Sequence, residues 1–312
     1  MSEHPPYESS PAAATVTAPT RIWSALDAAD LTPFALWILT ILLSALGYGS
    51  SLQSTVIDVL LVAGLITVGI PHGAVDHLLD SGMWHMRRTP LFIVKYLLKA
   101  AVMVGVWIVL PQPALLFFLL YSAVHFGEAD GKQWGFSMTE SVLWGCSLML
   151  FILGTHSGET TNIIRTMGTQ VAFPALPFYA LLPWLGWAVV RRSTTLAITV
   201  MWLSAATMLP LLAVFGMYFI GQHSFTGWMH ICAKLERPQW KVWLHALPFN
   251  IGAWLLLGIF LQLWPHASLS IDAARGAFFI FVGCLSFPHV IEMHGMYRKF
   301  RRVAPHDEPQ RE

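Results

Sequence analysis

Long apolar stretches separated by short polar connections run through the chain from residue 32 to residue 297. A helix that crosses a bilayer needs roughly 20 mostly apolar residues, with about 17 as the lower limit. The pattern therefore predicts an all-α fold, a polytopic transmembrane bundle of eight to ten membrane helices. The candidate spans are 32–48, 56–82, 91–110, 113–127, 138–155, 176–190, 195–209, 211–233, 245–264 and 273–297.

Two of these stretches are short, and one pair is joined without a polar break. The spans at 113–127 and 195–209 could be re-entrant instead of crossing fully. Residues 195–233 form one apolar block, nearly twice as long as a ~30 Å hydrocarbon core requires at about 1.5 Å per residue, so we expect Pro210 to break it. The predicted regions are a disordered cytoplasmic tail at 1–30, a single transmembrane helical domain at 31–300 and a polar tail at 301–312.

Lysine and arginine residues gather at the ends of alternate spans. Because basic residues concentrate in the connections on the cytoplasmic side, this pattern predicts a multi-pass protein with both termini cytoplasmic. The basic clusters are Arg87 and Arg88, Arg191 and Arg192, Lys234 with Arg237 and Lys241, and Arg298 with Lys299, Arg301 and Arg302.

The composition agrees with a membrane protein and excludes two kinds of site. The chain has 312 residues, of which 55% are hydrophobic and 11% charged, whereas soluble domains are roughly 25% charged. The net charge of +1 and the scattered basic residues exclude a nucleic-acid footprint. Cys146, Cys232 and Cys284 lie alone in apolar sequence with no CxxC pair, so thiolate zinc and redox sites are not expected.

Four polar segments interrupt the apolar pattern, and each carries a histidine at membrane depth. Ionisable side chains are costly in hydrocarbon and therefore indicate a functional site. In the orientation given by the basic clusters, the four helices run in the same direction and their histidines reach a similar depth. We therefore expect one layer of imidazoles, formed by His72, His125, His223 and His289.

The first and fourth segments share the order Pro-His-x-x-x-x-His. His72 and Asp76 are four residues apart on one helix face, so His72 could bind a metal while Asp76 accepts a hydrogen bond from a neighbouring histidine. His77 points about 140° away from His72. In the fourth segment His289 is the stronger ligand candidate and His294 the weaker. The alternative for both segments is a polar helix end that meets lipid headgroups.

The second and third segments offer one further pair each. His125 and Glu128 lie at i and i+3, the reverse of the Glu-x-x-His unit of di-iron bundles. The alternative for Glu128 is that it has no role in a site and lies at the membrane interface. His223 and His230 share a face but are about 10 Å apart along a regular helix, too far for both to bind one ion. One of the two is expected to be a ligand, and we favour His223.

Several imidazoles without a thiolate suit iron, copper or zinc better than calcium or magnesium. Fe(2+) is the strongest candidate if the site handles dioxygen, because its ligand sets leave coordination positions open. Asp76 and Glu128 would act by orienting the ligand imidazoles. A site inside the bilayer also implies a lipid-soluble substrate.

These segments resemble the Brp/Blh family of membrane-bound bacterial and archaeal carotenoid oxygenases, named for bacterio-opsin-related protein. The resemblance rests on residues 71–77 (PHGAVDH), residues 125–130 (HFGEAD), His223 with Ser224, and Pro288 with His289. It implies cleavage of the central 15,15' double bond of β-carotene by dioxygen to give two retinals. It also implies a bacterial or archaeal cell membrane and a functional link to a retinal-binding protein.

The same resemblance implies Fe(2+) at His72, His125 and His223, and the chain departs from the family at a fourth position. The family's third motif carries a second histidine four residues after the first, and here that position is Gly227. Either His230 or His289 would then complete the ligand set, or the chain is a divergent relative whose metal, substrate or activity differs.

Two other functions stay open from the sequence. A membrane lipid hydroxylase or desaturase with two metals would show clustered HxxxH boxes, and the sequence contains no HxxxH. An intramembrane proton or metal transporter would use the same His, Asp and Glu residues as a relay. Helices broken at Pro71, Pro210 and Pro288 also fit a transporter.

Overall fold

The structure, a computed structural model, describes residues 51–77, 88–264 and 270–303 together with four earlier positions. These residues contain helices and no strand, so the predicted all-α fold is confirmed. Within the span expected at 32–48, only Ala35, Ile38, Leu39 and Leu42 are described, and all four are helical. The tail at 1–30 and residues 304–312 lie outside the described part of the chain.

The helices follow one another with short connections. Two stretches have the wider π-helical turn and are named π1 and π2. In chain order the elements are α1 (Ser51–Gly64), π1 (Leu65–Gly69), α2 (Ile70–Ala74), α3 (Arg88–Val109), α4 (Pro111–Gln133), α5 (Met138–Thr155), α6 (Ser157–Thr166), α7 (Leu182–Arg191), α8 (Thr194–Ala206), α9 (Leu211–Gly216), π2 (Met217–Ser224), α10 (Phe225–Lys234), α11 (Gln239–Leu263) and α12 (Ile271–Val303).

Some of these helices have the length and apolar character of membrane spans. Among the described residues there are five: Thr55–Ala74, Thr89–Val109, Met138–Thr155, Gln239–Leu263 and Ile271–Gly295. They agree with a polytopic helical bundle, whereas the full count of eight to ten membrane helices stays a prediction.

Helix α4 is longer than the apolar pattern indicates. The pattern ends near residue 127, but the helix runs for 23 residues from Pro111 to Gln133. Proline suits the first helical position because the amide hydrogen it lacks would have no partner there. The helix continues through Glu128 and Asp130, which are each 3% exposed. Both carboxylates therefore lie inside the bundle and not at its surface.

The segments on either side of Arg192 differ in how well they match the pattern. Instead of a span over 176–190, residues 169–181 form no helix, and α7 begins only at Leu182. The break expected at Pro210 is confirmed, because α8 ends at Ala206 and α9 begins at Leu211.

Glycines allow the backbones of α4 and α5 to touch. A Cβ atom added at Gly127 would lie 2.0 Å from the carbonyl oxygen of Ser141, and one at Gly145 would lie 1.8 Å from that of Ala123. No larger residue fits such a contact without moving a helix, since close-packed interiors tolerate little added volume. This packing fixes the helix that carries His125.

The two π-helical stretches lie close to the histidines of the first and third polar segments. Segment π1 ends three residues before His72, and π2 contains His223. A π-helical turn holds more residues than an α-helical turn, so it rotates the side chains that follow it, and such turns occur often at functional sites. The spacing rules of a regular α-helix therefore do not fix where these two imidazoles point.

Candidate active site

Four histidine rings from four separate parts of the chain meet in the interior. His72 comes from α2, His125 from α4, His223 from π2 and His289 from α12. Their exposed fractions lie between 3% and 7%. Each ring neighbours two others, with centroid separations of 5.4 Å for 72 and 223, 5.1 Å for 72 and 289, 4.8 Å for 125 and 223, and 5.1 Å for 125 and 289. The four rings enclose a common space.

Each of these rings has at least one buried nitrogen without a hydrogen-bond partner among the described residues. They are both ring nitrogens of His72, Nε2 of His125, Nδ1 of His223 and Nε2 of His289. Buried polar atoms are normally satisfied, so a group of unsatisfied nitrogens needs an explanation. Within residues 51–77, 88–264 and 270–303, no three His, Cys, Asp or Glu side chains as placed are close enough to hold a metal ion.

Asp76 pairs with His289. The two residues are 213 positions apart, and Nδ1 of His289 lies 3.0 and 2.9 Å from the two carboxylate oxygens of Asp76. Because a carboxylate only accepts, the imidazole donates its Nδ1–H. With the proton on Nδ1, the other ring nitrogen, Nε2, has a free lone pair. It can accept a hydrogen bond or bind a metal ion.

Glu128 makes a second pair of the same kind outside the group of four rings. Nδ1 of His294 lies 3.1 and 2.9 Å from its two carboxylate oxygens. The Glu128 side chain is 3% exposed, and that of His294 is 40% exposed. Glu128 therefore holds a histidine at the edge of the bundle.

Two other candidate histidines lie outside the group of four rings. Nδ1 of His77 donates to the carbonyl oxygen of Ala74 at 3.1 Å, and its ring lies 4.2 Å from the ring of Phe249. His230 is exposed on α10 and is not one of the four central rings. Of the five histidines predicted as ligands, the structure brings together all except His230.

Gly227 lies directly against the ring of His72. A Cβ atom added there would be 2.3 Å from Cε1, 2.8 Å from Nδ1 and 3.1 Å from Nε2 of His72. Real Cβ atoms do not approach so closely, so any side chain at residue 227 would displace the imidazole. The space that a side chain at residue 227 would need is thus filled here by the ring of His72.

Asp130 is a second buried acid on α4. Its Oδ2 accepts hydrogen bonds from Nε1 of Trp144 at 2.8 Å and from the hydroxyl of Tyr218 at 3.0 Å. These bonds join α4, α5 and π2 one turn from His223. The sequence signal for a buried acid here was a carboxylate close to an apolar run. Its partners, Trp144 and Tyr218, could not be identified from sequence because they lie on other helices.

An apolar cavity of about 480 Å³ opens beside the four rings. Rings of Phe118, Phe126, Phe215, Phe219 and Phe249 line it, together with all four histidines. Sites of roughly 300 to 1,000 Å³ with apolar walls and a few polar groups are typical of small-molecule binding. The space therefore suits an apolar ligand with its reacting part at the imidazoles.

Comparisons with known proteins agree with this chemistry. A family model described as β-carotene 15,15'-dioxygenase matches residues 63–297. The protein named β-carotene 15,15'-dioxygenase from uncultured marine bacterium 66A03 is 26% identical over 266 residues, which cover 78% of this chain and 94% of that protein. No solved structure matches the chain. The matched region contains all four central histidines and Asp76.

Proposed function

The chain belongs to the β-carotene 15,15'-dioxygenase family, and on that premise we propose that it cleaves the central double bond of β-carotene with dioxygen to give two retinals. The observation that carries the proposal is the meeting of four buried imidazoles at the wall of an apolar cavity. Membership of this family indicates that the chain is an enzyme of the carotenoid dioxygenase type. The metal, the ligand set and the membrane setting are inferences from the residues.

The spacing of the rings fits four imidazoles around one ion. With a metal–nitrogen distance of about 2.1 Å, ring centres lie about 3.2 Å from an ion and so about 4.5 to 5.2 Å from one another between right-angled and tetrahedral arrangements. Three of the four observed separations lie in that range, at 4.8, 5.1 and 5.1 Å, and the fourth is slightly longer at 5.4 Å. Rotation of the rings about χ2, a broad torsion for histidine, aims the nitrogens with little movement of the ring centres.

The chemistry of the donors favours Fe(2+). Four neutral imidazoles with no thiolate suit iron, copper or zinc. We assign the ligands as His72, His125, His223 and His289. His230 is left out because it is exposed on α10. Bound Fe(2+) would supply the activation of dioxygen that carotenoid cleavage requires.

The side chains of this protein have three tasks in the proposed reaction. Asp76 accepts the Nδ1–H of His289 and so fixes the tautomer and orientation of that ring. The aromatic walls hold the polyene straight and keep water from the reacting bond. Glu128 accepts a hydrogen bond from His294 at the edge of the bundle, and this bond joins α4 to α12.

We also propose that the protein is embedded in the bacterial or archaeal cell membrane. Five helices in the described part of the chain are long and apolar enough to cross it. The basic clusters favour cytoplasmic termini. A membrane lipid would then surround the bundle, and a retinal-binding protein remains the expected recipient of the product.

Expression in β-carotene-producing cells tests the function. The intact protein is expected to bleach the colour and form retinal, whereas His72→Ala and His289→Ala are expected to abolish retinal formation. His230→Ala is the matched control and is expected to keep it. Colour retained by cells that express the intact protein at normal levels would refute carotenoid cleavage.

Metal analysis separates the remaining alternatives. The proposal requires one iron per chain in the purified protein, and a hydroxylase or desaturase with a two-metal site requires two. A transporter or proton relay would leave β-carotene intact and would bind no stoichiometric iron.

A further inference from the structure

A second apolar hollow lies beside the histidine cavity, and we name it the outer groove. Its volume is about 830 Å³, and its walls come from α3, α11 and α12 with the end of α6. Five residues line both spaces: Leu97, Met167, Leu256, Phe281 and Leu285. The two spaces therefore adjoin each other along these side chains.

The outer groove leads away from the histidines along two helices. Residues of α3 up to Leu97 line the histidine cavity, and residues from Leu97 to Ile108 line the outer groove. These positions are about 16 Å apart at 1.5 Å per residue. On α11 the groove runs from Leu256 to Leu263, or about 10 Å. The outer groove thus extends over a third to a half of a ~30 Å hydrocarbon core.

The groove opens at the side of the bundle. Ile108 and Leu263, at its far end, are 67% and 77% exposed. Its lining contains no Asp, Glu, Lys, Arg or His. Since burying an unpaired polar group in such a place is costly, the groove accepts hydrocarbon and rejects charged or strongly polar ligands.

The length of the proposed substrate indicates what occupies the outer groove. Cleavage at the central bond leaves an arm of equal length on each side, and β-carotene is as long as two retinals joined end to end. We propose that the outer groove binds one arm of the polyene, which slides in sideways from the bilayer, while the histidine cavity holds the central bond and the other arm. This assignment rests on the proposed carotenoid substrate.

Binding without turnover tests the assignment. Purified protein in detergent is titrated without dioxygen, using β-carotene and retinal as probes with two arms and one arm. Ala101→Phe fills part of the groove, because Ala101 lines it. The matched control is Val102→Phe, since Val102 is 56% exposed and lines neither space.

We expect Ala101→Phe to weaken β-carotene binding about tenfold and to leave retinal binding unchanged, with Val102→Phe without effect on either probe. Ile259→Trp narrows the opposite wall and is expected to reproduce the result. Unchanged β-carotene binding in both groove variants, or an equal loss of both probes, would overturn the assignment. Whether the wild-type protein forms retinal in air is measured separately, so failure of the proposed reaction is distinguishable from failure of the groove.

Discussion

At the scale of single residues, the site depends on contacts that each histidine makes on the side away from the shared space. Asp76 holds His289 through two short contacts, and Gly227 provides the surface on which the ring of His72 lies. Neither residue needs to touch the substrate. Both determine where an imidazole nitrogen points, and a metal site tolerates only a few tenths of an ångström of displacement.

Asp76→Asn is expected to lower iron affinity about 10- to 100-fold, because an amide replaces the carboxylate that accepts from a ligand histidine. Iron affinity is measured by anaerobic titration of the purified protein. Asp58→Asn is the control, since Asp58 pairs with Arg275 and not with a central histidine. Equal affinities for the wild type and Asp76→Asn would show that His289 is not a ligand.

Gly227→Ala is expected to reduce bound iron at least tenfold, because the new methyl group would lie 2.3 Å from Cε1 of His72 and would force the ring to move. Gly73→Ala is the matched control. Its added Cβ would lie 3.6 Å from Nδ1 of His289, an ordinary contact. Iron content after gel filtration, together with the thermal midpoint, separates a displaced ligand from an unfolded protein. Full iron occupancy in Gly227→Ala would exclude His72 from the ligand set.

At the scale of helices, the position of the site is set by backbone contact and by π-helical turns. The pair α4 and α5 is locked at Gly127 and Gly145, where each backbone meets a carbonyl oxygen of the other helix. Asp130 extends the lock to π2 through Tyr218. The helix that carries His125 and the segment that carries His223 are therefore joined directly by the bond between Asp130 and Tyr218.

Gly145→Ala is expected to lower the free energy of unfolding by about 1 to 3 kcal/mol, the usual cost of adding atoms to a packed interior. The same change at Gly105 meets no atom within 4 Å and is expected to be neutral or stabilising by up to about 1 kcal/mol, since alanine favours helix. Thermal unfolding in detergent compares the two. Equal midpoints for the two variants would contradict the close packing of α4 and α5.

At the scale of the whole molecule, the four central histidines tie together parts of the chain that are far apart in sequence. A bound ion would link α2, α4, π2 and α12 at one point. Anything that binds the folded state and not the unfolded state stabilises it by mass action. Metal content should therefore affect the stability of the entire bundle.

Removal of iron by a chelator is expected to lower the thermal midpoint of the wild-type protein, and anaerobic addition of Fe(2+) is expected to restore it, because binding free energy adds to folding free energy. His72→Ala is expected to show neither change. The measurement is thermal unfolding before chelation, after chelation and after reconstitution. A midpoint that is insensitive to chelation in iron-loaded protein would argue against a site that bridges these helices.

The sequence by itself determined the helical class, the break at Pro210 and the residues of greatest chemical interest. These follow from local rules: the length of apolar runs, the geometry of proline and the cost of ionisable groups in hydrocarbon. Local rules left Glu128 open between a site role and a membrane-interface position, and the structure buries it in α4.

Only the tertiary structure decided which groups become partners. Asp76 meets His289 across 213 residues, and Glu128 meets His294 across 166. The place of Gly227 against the ring of His72 also depends on how the helices pack. Helix periodicity fixes directions within one element, whereas these pairings depend on the rotation of one helix against another, to which π1 and π2 add turns that no regular spacing predicts.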